Sequence, residues 1–191
     1  MKEPVLYKIL RPIITILVKI FFRPTIIGKE NILNSDGLVL AGNHTSYFDC
    51  VLLIACTKRV VHFMAKSELS KGIFSPLFKN MGLVFVNRKV KDNNSLKNAI
   101  KYLNDGKIIG IFPEGTINRT DDVIMPFKYG AVKMSNVSDS YIVPFTITGK
   151  YKFFKKSITI KFEKPYKVSE DLEIENKKLE KIISDELIKR S

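Results

Sequence analysis

Apolar residues crowd the first 22 positions, MKEPVLYKILRPIITILVKIFF, and Lys2, Lys8, Arg11, Lys19 and Arg23 interrupt or flank them. The longest uncharged run is Pro12 to Val18. A membrane-crossing helix needs roughly 20 mostly apolar residues, so this stretch is too broken to span. No small-residue cleavage site follows, which argues against a signal peptide. Two readings stand side by side: a helix lying in a membrane interface with basic residues at the headgroups, and a helix packed on the domain. Pro12 is expected to kink it or divide it into a pair.

Beyond a Pro-, Gly- and Asn-rich connection from Arg23 to Gly37, the pattern alternates. Short apolar runs predict strands at 37–43 (GLVLAGN), 59–66 (RVVHFMAK), 83–88 (LVFVNR), 107–112 (KIIGIF), 141–149 (YIVPFTITG) and 157–168 (SITIKFEKPYKV). Helices are predicted at 46–56, at 68–82 with a break near Ser75-Pro76, at 93–106, at 127–137, and as a charged, solvated amphipathic tail over 175–190. Strands alternating with helices predict an α/β fold: a single mixed sheet flanked by helices, preceded by an N-terminal amphipathic membrane-interface helix or helix pair. The expected organisation is a membrane-associated segment over 1–24 and one α/β domain over 25–191.

Within this pattern, His44 and Asp49 stand five residues apart in NHTSYFD, between a strand and a helix. Five residues of helix turn through about 500°, which separates the two side chains. An odd spacing on a strand puts them on opposite faces. They can meet only across a strand-to-helix turn, and Ser46 is a natural N-cap for one. Ser46-Tyr47-Phe48-Asp49 also resembles a capping box, in which Asp49 would serve the helix start alone. The two readings are compatible. A carboxylate held at a helix N-terminus can orient an imidazole just upstream and poise it as a general base.

Composition narrows the partners. The 191-residue chain is 45% hydrophobic, enough for one domain with a core. A formal net charge of +13 favours an anionic partner: nucleic acid, an anionic membrane surface, or a phosphorylated or carrier-bound substrate. Cys50 and Cys56 share one apolar run and read as small buried hydrophobes. With His44 and His62 they fall at an even spacing of six, which lacks the close pairs of a zinc site, so no metal is expected.

Two further strand ends add chemistry. FPEGT (112–116) follows KIIGIF, at the strand end where open α/β sheets hold ligands. GLVFVNR (82–88) ends in Arg88, which could clamp a phosphate through two parallel hydrogen bonds. Taken in order, NHTSYFD, GLVFVNR, FPEGT and IVP resemble the four blocks of the glycerolipid acyltransferase family, most of all the 1-acyl-sn-glycerol-3-phosphate (lysophosphatidic acid) acyltransferases. The blocks span residues 43 to 144.

The resemblance implies that His44 is the general base and that Asp49 orients it. The acceptor hydroxyl then attacks an acyl thioester directly, with no acyl-enzyme and no cofactor. It also implies that Arg88 and the Glu114-Gly115-Thr116 turn bind the acceptor's glycerol phosphate. Val143-Pro144 would shape the acyl site, and Lys66 would be a further phosphate contact. The implied partners are lysophosphatidic acid, an acyl carrier protein or coenzyme A thioester, and an anionic membrane surface on the cytoplasmic face, but no nucleic acid. One position departs from the family block: Ile117 follows Thr116 where an arginine is usual, and the next arginine, Arg119, is expected to take over the phosphate contact. The departure leaves the acceptor headgroup open, and a different lysolipid is the same-class alternative.

The remaining candidates are weaker. His62 sits among apolar residues and reads as a packed strand histidine. Ser46 and Cys50 invite a nucleophilic reading, but no G-x-S-x-G elbow is present. FKYG (127–130) and YKFFKK (151–156) mix basic and aromatic residues, as nucleic-acid stacking patches or a membrane-facing edge would. A non-catalytic basic module is the alternative from another class.

Overall fold

The computed structural model describes residues 4–34, 36–87 and 92–190. Its elements run α1 (Val5–Phe21), β1 (Thr25–Ile27), β2 (Leu38–Gly42), α2 (Phe48–Cys56), β3 (Val61–Lys66), α3 (Ser75–Asn80), β4 (Val84–Val86), α4 (Asn93–Asn104), β5 (Ile108–Ile111), α5 (Gly130–Val137), β6 (Tyr141–Gly149), β7 (Ile158–Phe162), β8 (Tyr166–Lys167) and α6 (Leu172–Arg190). The strands form one sheet in the order β1-β7-β6-β2-β5-β3-β4, with β8 also pairing β6. Strands β2, β3, β4, β5 and β6 run parallel, and β7 is antiparallel to β6. The expected single mixed sheet flanked by helices is therefore the fold.

Parallel strands buried on both faces read as continuous apolar runs, and the period of two sorts each run between the two faces. Leu38, Leu40, Ile108, Val143, Phe145 and Ile147 join the core that also holds residues of α1 and α2. Val39, Ala41, Ile109 and Ile142 join the other core, with residues of α4, α5 and α6. Strands β2 to β6 run the same way and end on one edge, where His44, Lys66 and the loop after β5 lie.

Several expectations change. Of the two forms expected, helix or helix pair, the N-terminal segment takes the first: α1 runs through Pro12 without a break. It packs on the domain, the second of the two readings, because Tyr7, Val18 and Phe22 sit in the first core. Val61 N donates to Tyr7 Oη at 3.2 Å, and Arg11 Nε donates to the Thr57 carbonyl at 2.7 Å. The break expected near Ser75-Pro76 is there: Pro76 opens α3, the position in which a missing N–H costs least. The run 157–168 divides into β7 and β8 around Pro165, which cannot donate to a ladder. The charged tail is no solvated face: α6 buries Leu179, Ile183 and Leu187 in the second core. The connection at 23–37 contributes β1, a three-residue edge strand paired with β7.

Candidate active site

The site starts where β2 ends. Asn43 is buried and pairs with the Ile147 backbone in both directions, donating through Nδ2 at 2.9 Å and accepting through Oδ1 at 2.8 Å. This side chain imitates one more rung of the β2–β6 ladder and fixes the exit of the strand. The chain then turns through His44, Thr45 and Ser46 into α2.

The turn brings His44 and Asp49 together, with His44 Nδ1 at 2.8 Å from Asp49 Oδ2. Asp49 is fully buried. Its charge is met by hydrogen bonds, as a buried carboxylate requires. Oδ2 also accepts from the N–H groups of Thr45 and Ser46, at 2.7 and 2.8 Å. Oδ1 accepts from Thr45 Oγ1 at 3.2 Å and from the Tyr151 hydroxyl at 2.7 Å. The bond to Ser46 N resembles one arm of a capping box, but it closes the turn ahead of α2, whose N-cap Tyr47 has no side-chain bond, and the same carboxylate holds the histidine. The Ser46 hydroxyl does not complete the box; it accepts from Phe48 N at 3.2 Å. Facing a carboxylate, Nδ1 keeps the ring proton and Nε2 is left as the proton acceptor. The imidazole lies flat on Phe112, with ring centroids 3.9 Å apart and planes 11° apart.

Glu114 ties the second strand end to the first. Its Oε1 accepts from His44 N at 2.7 Å, and its Oε2 accepts from Met125 N at 2.9 Å. Burial pushes its carboxyl above the ordinary glutamate range, and these two N–H bonds work in the opposite direction. The His44 carbonyl in turn accepts from Asn118 N at 2.8 Å. The backbone around His44 is thereby bonded to both sides of the loop after β5.

Gly115 follows with φ of +78°. A β-carbon there would also stand 2.9 Å from Lys128 Nζ, so the turn needs glycine and the lysine ammonium lies against it. Thr116 and Arg119 are exposed on the same loop, and Lys66 is exposed at the end of β3. Val143 and Pro144 are buried in the middle of β6, opposite Leu40 and Ala41. Arg88 lies outside the described residues.

Three residues at this site went unread in the sequence. In the sequence, Tyr151 and Lys128 belong to basic-aromatic patches and Phe112 to the end of a strand, and nothing local marks them further. Cys50 lies within α2, and burial pushes its thiol up to about 12, as it does for Cys56. Thiols so neutral are poor nucleophiles, which counts against an acyl-enzyme on cysteine. His62 is the packed strand histidine expected, 1% exposed in β3.

Outside the site, α1 leaves Val5, Ile9, Ile13, Ile16, Leu17 and Ile20 exposed. These positions recur at helical spacing along one face. Ile73 and Phe74 beside α3, and Phe153 and Phe154, are also exposed. Phe153 and Phe154 pack on Phe21 at the end of α1, at 5.8 and 5.2 Å between ring centroids. Among the described residues, no helix is long and apolar enough to cross a membrane.

Comparison with known proteins shows the family. A family model described as Acyltransferase matches residues 23–148. The chain belongs to this acyltransferase family. The match runs from the end of α1 to the end of β6 and so contains His44, Asp49, Glu114 and the glycine turn. A 1-acyl-sn-glycerol-3-phosphate acyltransferase of Borreliella burgdorferi is 32% identical over 174 residues, 85% of this chain and 69% of that protein. One of Bacillus subtilis is 33% identical over 124 residues, 64% of this chain and 61% of that protein. A lyso-ornithine lipid O-acyltransferase of Rhizobium meliloti is 32% identical over 120 residues, 58% of this chain and 40% of that protein. The crystal structure of the 1-acyl-sn-glycerophosphate acyltransferase of Thermotoga maritima shares the fold, with a TM-score of 0.74 at 22% identity, covering 96% of this chain and 80% of that one.

Proposed function

We propose that the protein transfers a fatty acyl group from a thioester to the sn-2 hydroxyl of 1-acyl-glycerol-3-phosphate, giving phosphatidic acid. The observation that carries this reading is the bond from His44 to a buried Asp49 at the end of a parallel strand. His44 Nε2 takes the proton of the acceptor hydroxyl as its oxygen attacks the thioester carbonyl. The tetrahedral intermediate collapses, the C–S bond breaks, and the imidazolium returns the proton to the departing thiolate. No acyl-enzyme forms.

The acceptor's phosphate sits near the Glu114-Gly115-Thr116 turn. Glu114 serves it by holding the turn, because both its oxygens accept backbone N–H groups. Lys128 and Arg119 supply charge on the same loop, with Lys66 at a nearby strand end and Arg88 assigned by resemblance alone. The donor is carried on coenzyme A or on acyl carrier protein. The protein works at the cytoplasmic membrane face, with the exposed apolar side of α1 and the 153–154 aromatics in the interface and lysines at the headgroups.

Acyl transfer to lysophosphatidic acid, run with both donors for the native chain and His44→Ala, tests the reaction. Product from the native chain that is lost in the variant is expected; equal product from both would remove His44 from the mechanism. A second acceptor, a phosphate-free lysolipid, has two supports: Ile117 in place of the family arginine, and the likeness to a lyso-ornithine lipid acyltransferase. Turnover of that lysolipid with none of lysophosphatidic acid would select it. The membrane reading is tested with Ile13→Asp and Ile16→Asp together, since deleting α1 would also strip the core. Flotation with anionic liposomes should be lost, and unchanged flotation would refute the interface.

A further inference from the structure

Tyr151 makes a bond that the proton transfers above do not use. Its hydroxyl donates to Asp49 Oδ1 at 2.7 Å, while Oδ2 of the same carboxylate holds His44 Nδ1 at 2.8 Å. Tyrosine, aspartate and histidine thus form one file, with the first and second drawn together across 102 residues of sequence. Phe22 packs edge-on against the Tyr151 ring at 5.2 Å, and Phe48 lies tilted beside it at 5.6 Å. Burial first, and the negative charge of Asp49 second, push ionisation of the phenol well above the ordinary tyrosine range. The group therefore stays a proton donor at any working pH.

The two carboxylate oxygens are held unequally. Oδ2 has His44 Nδ1 and two backbone N–H groups, all within 2.8 Å. Apart from Tyr151, Oδ1 has the Thr45 hydroxyl at 3.2 Å. Without the phenol, a buried oxygen keeps only that long bond, and the carboxylate can rotate away from the histidine.

We propose that Tyr151 is a positioning residue for acyl transfer: it fixes Asp49 from behind, so that the His44 ring stays aligned and the carboxylate does not over-hold the imidazole proton. The inference builds on the reading of His44 as general base. Groups around the pair besides Tyr151 are the Thr45 and Ser46 turn, the neighbouring Cys50 thiol, neutral through burial, and Glu114, which accepts from His44 N and acts electrostatically on both His44 and Asp49.

The test is Tyr151→Phe, which keeps the ring and its packing and removes only the hydroxyl. Steady-state kinetics over pH should show kcat lowered about tenfold with KM for the lysolipid unchanged, the loss of one bond to a charged group. More negative charge left on Asp49 favours protonated imidazole, so the acid limb of the kcat/KM profile should move to higher pH. Thermal unfolding should change little. Tyr151→Leu, which also removes the ring, should lower kcat at least as far and lower the melting temperature as well. Native kcat and an unmoved acid limb in Tyr151→Phe would overturn the inference. His44→Ala, assayed beside it, separates the two failures. If that variant is inactive, the base stands and only the tyrosine is dismissed; if it turns over normally, the base itself is wrong.

Discussion

The two histidines of this chain have nearly the same local geometry, and only His44 is proposed as a base. His44 stacks on Phe112 and His62 on Tyr102, each with ring centroids 3.9 Å apart. Each places Nδ1 within hydrogen-bond reach of an oxygen, at 2.8 Å for Asp49 and 2.7 Å for the Gly82 carbonyl. The partner and the position differ. His44 faces a carboxylate at the end of β2 and keeps 15% of its side chain exposed. His62 faces a neutral carbonyl in the body of β3 and is 1% exposed. Ring stacking and a fixed Nδ1 order an imidazole and do not by themselves make it a base. A base also needs a charge that stabilises the imidazolium, and an open edge through which a hydroxyl can reach Nε2.

The largest effects should separate the pair most sharply. His44→Gln is expected to cut turnover by roughly 10²–10⁴-fold, the usual contribution of a general base, with little change in urea unfolding. His62→Gln should do the reverse, losing about 1–3 kcal/mol of stability as a buried polar group is mispaired, with kcat per folded molecule retained. Parallel kinetics and urea titrations check both. A folded His62→Gln with lost turnover would end the contrast.

Glu114 gives the next effect, because it braces only one of the two histidines. Glu114→Gln keeps one acceptor and turns an amide N–H₂ towards a backbone N–H. Turnover should fall several-fold, and about 1–3 kcal/mol of stability should be lost. The pH dependence carries a sign. Burial raises the folded-state pKa of Glu114, so its ionised form opposes folding. The native chain should lose that part of its stability as pH rises from the ordinary glutamate value through the raised one, and the glutamine variant should not. Denaturant midpoints of both proteins from pH 4 to pH 7 test this; parallel curves would show that Glu114 is not linked to folding.

What could be read in the sequence follows the range of each interaction. The His44–Asp49 contact was legible because it closes within one turn, where spacing alone excludes a helix or a strand. The parallel strands were legible because burial on both faces makes unbroken apolar runs. Tyr151 was not, because it reaches Asp49 from the far end of β6, inside a segment whose lysines and phenylalanines dominate its appearance. The burial of α6 was hidden for a similar reason. Among its many charges, Glu180 accepts from Phe127 N at 2.6 Å and Asn176 donates to the Phe127 carbonyl at 3.0 Å. These polar residues face the protein, and a pattern of charge cannot show that. Strand β1 is three residues long and exists through its pairing with β7, so no local signal announces it.

The smallest expected effect tests the feature the two histidines share. Phe112→Leu and Tyr102→Leu each remove an aromatic platform and keep an apolar side chain. Stacking adds about 0.5–1.5 kcal/mol beyond buried area, so both variants should lose stability on that scale. If the ring beneath His44 only packs the site, the two substitutions should look alike. If it also keeps the imidazole plane aligned with Asp49, Phe112→Leu alone should lower kcat, by about two- to tenfold, at unchanged KM. Phe112 also packs edge-on against Phe145 at 5.9 Å, in the core beneath the site, so an alignment role has a rigid support. An equal drop in kcat from Tyr102→Leu would mean that loosening either side of the sheet slows the reaction, and the difference between the histidines would then reduce to Asp49 and access alone.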